Sequence, residues 1–148
     1  MVRPQRAADE LVSKQLREST MQTYDDALAA FQSAYITAAL WSSTNDDGEP
    51  LDSGDFEVCD EFTERMNADA KAFFDAHSQH FTSDNCKYSG CSPIEYAGHD
   101  FWLTRCGHGC GFWDGDWKEP VASLLDEAAK KAGNVDLYVG DDGLVYVM

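Results

Sequence analysis

Between Asp100 and Asp116 the chain reads Asp-Phe-Trp-Leu-Thr-Arg-Cys-Gly-His-Gly-Cys-Gly-Phe-Trp-Asp-Gly-Asp, and no other stretch limits the fold as strongly. Glycines at 107, 109, 111 and 115 offer the positive φ that a tight turn needs, while the aromatics on either side need a core to pack in. Alternation places Phe101, Leu103 and Arg105 on one face and Trp102 and Thr104 on the other. It predicts a hairpin of Glu95 to Arg105 against Phe112 and Trp113, with His108 at its tip. Cys106 would then face Cys110 across the strands, where opposed residues sit about 4.5–5.5 Å apart. Arg105 is expected to pair with Asp100 or Asp114 and so fix the hairpin. Trp41, Trp102, Trp113 and Trp117 are read as core and core-edge residues, with an exposed aromatic patch for a partner as the sharper option.

The rest of the chain supplies helices and one more hairpin. Leu28, Phe31, Tyr35 and Leu40 recur near helical period in the alanine-rich run from Tyr24 to Trp41, and Asp25 and Asp26 suit its positive end. Phe62, Met66, Ala70, Phe73 and Phe74 step by three and four along a second helix, entered near Asp60 or Glu61, whose outward side is acidic. Near its end His77 and His80 are close enough to share a face, a placement that favours the negative helix terminus over metal ligation. Lys118 to Ala132 forms a third helix with Val121, Leu124, Leu125 and Ala128 buried and Gly133 as its stop. Val135 to Val139 and Leu144 to Met148, joined by Gly-Asp-Asp-Gly, form the second hairpin. The fold expected is a single small α+β domain over 23–148, helices followed by a small antiparallel sheet of two hairpins with one intervening helix. Residues 1–22 form a polar, helical or frayed extension.

Charge narrows the partners. Twenty-seven Asp and Glu against eleven Lys and Arg give a net charge of −16, and residues 1–20 carry four basic and three acidic side chains, so the body is more acidic still. Such a field repels nucleic-acid phosphates and anionic membranes, which leaves a basic protein surface as the natural partner; solubility alone also accounts for it. No run of about eighteen apolar residues predicts a membrane span. The N-terminus lacks the apolar centre of a secretory signal, and a cytoplasmic location is expected. Ser42 to Asp55 is a turn-rich loop carrying five carboxylates, whose spacing does not meet the ligand pattern of a calcium-binding EF-hand.

Two chemical sites can be written from the residues. Cys86, Cys91, Cys106 and Cys110 could form a four-thiolate zinc centre, joined by His108, although their spacings are looser than the two-residue pairs of structural zinc sites; free thiols, or a disulfide outside reducing conditions, are the alternatives. His108 or His99 could act as a general base, oriented by Asp100, Asp114 or Asp116, with Cys106 or Cys110 as nucleophile. A glycine-rich tip is poorly walled, and neither a nucleophile elbow nor a phosphate or dinucleotide loop is present. The reading is therefore of a protein that binds rather than catalyses.

Gly-His-Asp-Phe-Trp-Leu-Thr-Arg at 98–105, Gly-His-Gly at 107–109, Gly-Phe-Trp-Asp at 111–114, Asp-Leu-Tyr-Val-Gly-Asp-Asp-Gly at 136–143 and Tyr-Ile-Thr-Ala-Ala-Leu-Trp-Ser-Ser-Thr at 35–44 resemble a family of small proteins encoded by tailed bacteriophages. The likeness covers about Phe31 to Met148. Its members usually read Thr-Arg-Asn-Gly-His-Gly-Ala-Gly-Phe-Trp-Asp, so this chain departs at Cys106 and Cys110, and a thiol-dependent site could not be general to them. The resemblance implies a phage product in the bacterial cytoplasm without assigning an activity. The function expected is a non-enzymatic accessory protein that binds a host protein, as a nucleic-acid mimic or a factor in host takeover. Asp46, Asp47, Glu49, Asp52, Asp55, Glu57, Asp60, Glu61 and Glu64 would carry it, with His108 as a further binding residue. The alternatives are a zinc-binding or hydrolytic protein centred on Cys106, His108 and Cys110, and a structural phage component.

Overall fold

A computed structural model describes residues 24–148, and the extension expected over 1–22 lies outside the described residues. Helix α1 covers 24–42. After the acidic loop come β1 (Glu57–Val58), α2 (Asp60–His77), a short 3-10 turn (Ser78–His80), α3 (Pro93–Arg105), α4 (Val121–Ala132), β2 (Leu137–Val139) and β3 (Leu144–Val147). The result is a single α+β unit in which the helices provide most of the core.

Helix α2 follows the apolar stripe read from the sequence: Phe62, Met66, Ala70, Phe73 and Phe74 are buried. Cys59 caps its start, its Sγ accepting the Phe62 N–H at 3.4 Å, with Asp60 and Glu61 in the positive first turn. Helices α1 and α2 run antiparallel, tied by Gln32 Nε2 donating to the Asn67 carbonyl at 3.1 Å. Their aromatic seam continues into α3, where the Phe73 and Phe101 rings stack with centroids 4.0 Å apart. Phe31, Tyr35, Phe81, Trp102, Phe112 and Trp117 complete this core, and each buried ring contributes on the order of 1.5–3 kcal/mol.

The first predicted hairpin does not exist, because Pro93–Arg105 is a helix. Both of its ends are encoded locally. Ser92 Oγ accepts the Glu95 N–H at 3.2 Å and donates to the Glu95 carboxylate at 3.1 Å, with Pro93 at the first helical position, so a serine N-cap and an N1 proline start the helix. At the other end His108 N–H reaches the Leu103 carbonyl at 3.0 Å and Gly107 N–H the Thr104 carbonyl at 3.2 Å, the paired bonds of a Schellman stop. Gly107, at φ +69°, therefore ends a helix rather than turning a hairpin. Helix α3 lies at the centre of the fold and crosses α1 at Gly98, where a Cβ would come within 2.6 Å of the Phe31 carbonyl oxygen.

The second hairpin forms as expected, with Tyr138 opposite Tyr146 and the Gly140 to Gly143 turn closed at 3.0 Å. The sheet is nevertheless mixed and not antiparallel throughout. Its order is β1-β3-β2, and β1 runs parallel to β3, with Glu57 beside Leu144 and Val58 beside Val145. Parallel pairing follows from connectivity, since α2, α3 and α4 all lie between the two strands.

Candidate functional site

The loop after α3 folds back onto that helix and forms one wall of a cavity. Phe112 N–H donates to Thr104 Oγ1 at 3.1 Å, which seats the Phe112 ring in the aromatic core. Trp117 is buried, and its Nε1–H donates to Asp100 Oδ2 at 2.7 Å. Tyr96 donates its hydroxyl to Asp116, and Lys118 N–H reaches the Asn85 carbonyl at 2.8 Å. The loop is thus clamped on both sides of Asp114.

The cavity between α1, α3 and this loop measures about 520 Å³. Helix α1 contributes Thr37, Ala38 and Trp41; α3 contributes Tyr96, His99, Asp100 and Leu103; the loop adds Cys110 and Asp114. A shallower recess of about 230 Å³ shares Thr37 and His99 and extends toward Glu95. Burial pushes the Asp100 carboxyl up to about 7, helped by Asp114 and Asp116 and opposed by the Trp117 hydrogen bond. Burial lowers the His99 imidazole below its ordinary range. Burial also raises the Cys110 thiol, with Asp114 and Asp100 adding to it, and raises the Tyr96 phenol, with Asp116 contributing next.

The proposed catalytic residues are split by this arrangement. His99, Asp100, Asp114 and Cys110 line the cavity, whereas His108 is exposed at the end of α3, its ring 6.4 Å from that of Trp102. Cys106 points away, its Sγ donating to the Val135 carbonyl at 3.5 Å, so it does not face Cys110 across a strand pair. A nucleophilic cysteine needs surroundings that favour thiolate. The carboxylates around Cys110 do the opposite.

Among the described residues no three His, Cys, Asp or Glu side chains gather as a metal site. Cys86 instead directs its Sγ to the Tyr88 carbonyl at 3.9 Å, and the cysteines in the described residues are free thiols. Arg105 pairs with neither Asp100 nor Asp114. Its Nη1 donates to Asp69 at 3.0 Å and to the Tyr35 hydroxyl at 2.9 Å, while Nε and Nη2 reach the Gly133 and Ala132 carbonyls at the end of α4. Of the tryptophans, Trp102 and Trp117 are buried, but Trp41 and Trp113 are 64% and 54% exposed and do not belong to the core. Thr37, Ala38, Trp41 and Tyr96 are the site residues that spacing along the sequence did not single out.

The predicted acidic residues all lie on the outside. Asp46, Asp47, Glu49, Asp52, Asp55, Glu57, Asp60, Glu61 and Glu64 are exposed. Asn45 shapes the loop that carries the first of them, its Oδ1 accepting the Asp47 and Glu49 N–H groups at 3.1 and 2.8 Å in the manner of an Asx turn. Among the described residues no helix is long and apolar enough to cross a membrane. The chain matches no family model, no curated protein and no solved structure, so the likeness to phage proteins rests on the quoted motifs alone.

Proposed function

We propose that this chain is a non-enzymatic accessory protein of a tailed phage, acting in the bacterial cytoplasm by binding a basic surface of a host protein through residues 46–64. One observation supports the reading above the others. Its nine carboxylates are all exposed and none is ion-paired among the described residues. The acidic partners that do find a cation, Asp69, Asp75 and Asp126, lie outside that segment. Uncompensated charge on a continuous stretch of loop, edge strand and helix start produces a local negative field that steers basic partners and repels phosphate. A partner groove that ordinarily holds nucleic acid would meet carboxylates in place of phosphates.

Immobilised protein exposed to bacterial lysate tests this. A host protein should be retained at low salt, released at high salt and displaced by duplex DNA. A variant carrying Asp46→Asn, Asp47→Asn, Glu49→Gln, Asp52→Asn and Asp55→Asn should lose it. A bound set indifferent to both salt and neutralisation would sink the proposal.

A further inference from the structure

The α1–α3 cavity poses a separate question, because its most buried polar residue is only half satisfied. Asp100 is 2% exposed. One of its oxygens takes the Trp117 indole N–H at 2.7 Å, and the other has no hydrogen-bond partner among the described residues. That second oxygen is not fully enclosed, and Asp100 lines the cavity, which leaves the oxygen within reach of whatever occupies it. A carboxylate oxygen in so dry a place is costly unless a donor reaches it.

The chemistry of the walls identifies the donor. Asp114 adds a second carboxylate, and among the described residues no lysine or arginine lines the space. His99 is held toward its neutral form. Ala38, Leu103 and the Trp41 indole supply apolar wall beside these groups, and Trp41 is 64% exposed. Carboxylates together with apolar and aromatic wall, in a volume typical of small-molecule sites, suit a flat cation: charge-assisted hydrogen bonds for its head, stacking and cation–π contact for its body.

We propose that this cavity binds a small organic cation, an amidinium, guanidinium or amine on a flat apolar body, with its head on Asp100 and Asp114 and its body against Trp41. The site is independent of the acidic segment at 46–64, and the outcome of the lysate experiment does not bear on it. Binding is linked to a proton, since Asp100 must be ionised to accept the cation. Among the described residues, the titratable groups around it are Glu95, Tyr96 and His99 on α3, Asp114, Asp116 and Cys110 on the following loop, and Cys86 and Cys91 before α3; the α1 wall brings none.

Benzamidine and its neutral isostere benzamide, titrated by calorimetry into the full chain, test the proposal. At pH 8 the wild type should favour benzamidine by about tenfold or more, equivalent to about 1.4 kcal/mol, and that preference should shrink between pH 8 and pH 6. Asp100→Asn keeps an acceptor for Trp117 and should remove the preference. Trp41→Ala alters an exposed residue, so the fold is not at risk, and should weaken benzamidine severalfold. Glu127→Gln, exposed on α4 and outside the cavity, should change nothing. Equal binding of the two probes by the wild type, no binding of either, a preference that survives Asp100→Asn, or benzamidine binding unchanged by Trp41→Ala would overturn the site.

Discussion

Arg105 Nη1 donates to Asp69 Oδ2 at 3.0 Å, and this contact joins the central helix α3 to α2. The guanidinium also reaches the Tyr35 hydroxyl on α1 and the last carbonyls of α4, and it lies 5.3 Å from the Phe101 ring centroid. A cation at a helix C-terminus offsets the negative end of that helix. The Arg105 side chain is 4% exposed, against 26% for Asp69, so the two ends of the pair respond differently. Arg105→Ala should cost about 3–5 kcal/mol, since it strips donors from four buried or partly buried acceptors. Asp69→Asn should cost much less, because water reaches that side. Arg105→Lys should behave closer to alanine than to arginine, as an ammonium cannot span the same fork of acceptors. Urea midpoints of the three variants check the order.

Gly98 fixes the distance between α1 and α3. Alanine in place of a mid-helix glycine ordinarily gains about 1 kcal/mol. At this position its Cβ would lie 2.6 Å from the Phe31 carbonyl oxygen and 2.9 Å from the Ala34 Cβ, atoms that can yield only if the helices separate. Overpacking of this kind costs about 1–3 kcal/mol, and moving α1 also opens the stacked Phe31, Tyr35 and Phe101 rings. Gly98→Ala should therefore lower the melting temperature, against its helix propensity. An unchanged or raised melting temperature would mean that the crossing is looser than its geometry.

Helices α1, α2 and α4 were legible because each buries one side and wets the other, leaving a stripe at helical period. Helix α3 buries Ala97, Gly98, Asp100, Phe101, Trp102, Thr104 and Arg105, so its pattern has no polar face and reads equally well as an alternating strand. Its true signals were at its ends, in Ser92 with Glu95 and in Gly107, where capping chemistry outweighs internal periodicity. Strand β1 is two residues long, and its parallel partner is remote in sequence; no local pattern encodes such a pairing. The cavity was half legible. His99, Asp100, Asp114 and Cys110 were singled out for their chemistry, but Thr37, Ala38 and Trp41 join them only because α1 packs beside α3. Nothing along the chain specifies which helices meet.

The thiols offer a direct check on the cysteine chemistry. Burial raises Cys86, Cys91, Cys106 and Cys110 above the ordinary thiol range, and carboxylates add to the effect at Cys86, Cys91 and Cys110. Alkylation depends on thiolate, so iodoacetamide near pH 7.5 should label all four more slowly than free cysteine, and the rates should climb as pH rises. A chelator should leave the rates unchanged. Stoichiometric zinc released by the chelator, with a burst of labelling, would restore the four-thiolate centre.

Asp100 gives the fold a pH dependence of defined sign. Its folded-state value of about 7 stands above the unfolded carboxyl value of about 3.9. Between those limits the native chain holds a proton that the unfolded chain has released, so the slope of stability against pH is negative. This contribution is fully present below about pH 4, declines through pH 5 and 6, and is gone above about pH 7, amounting to at most about 4 kcal/mol. Asp100→Asn carries no such proton and still accepts from Trp117. Its stability relative to wild type should therefore rise with pH from 5 to 8 and level off beyond. Paired urea titrations across that range read the difference directly, and other titrating groups common to both chains cancel. A difference that stays flat from pH 5 to 8 would show that Asp100 is ionised throughout, as it would be if water entered the cavity and solvated the second oxygen.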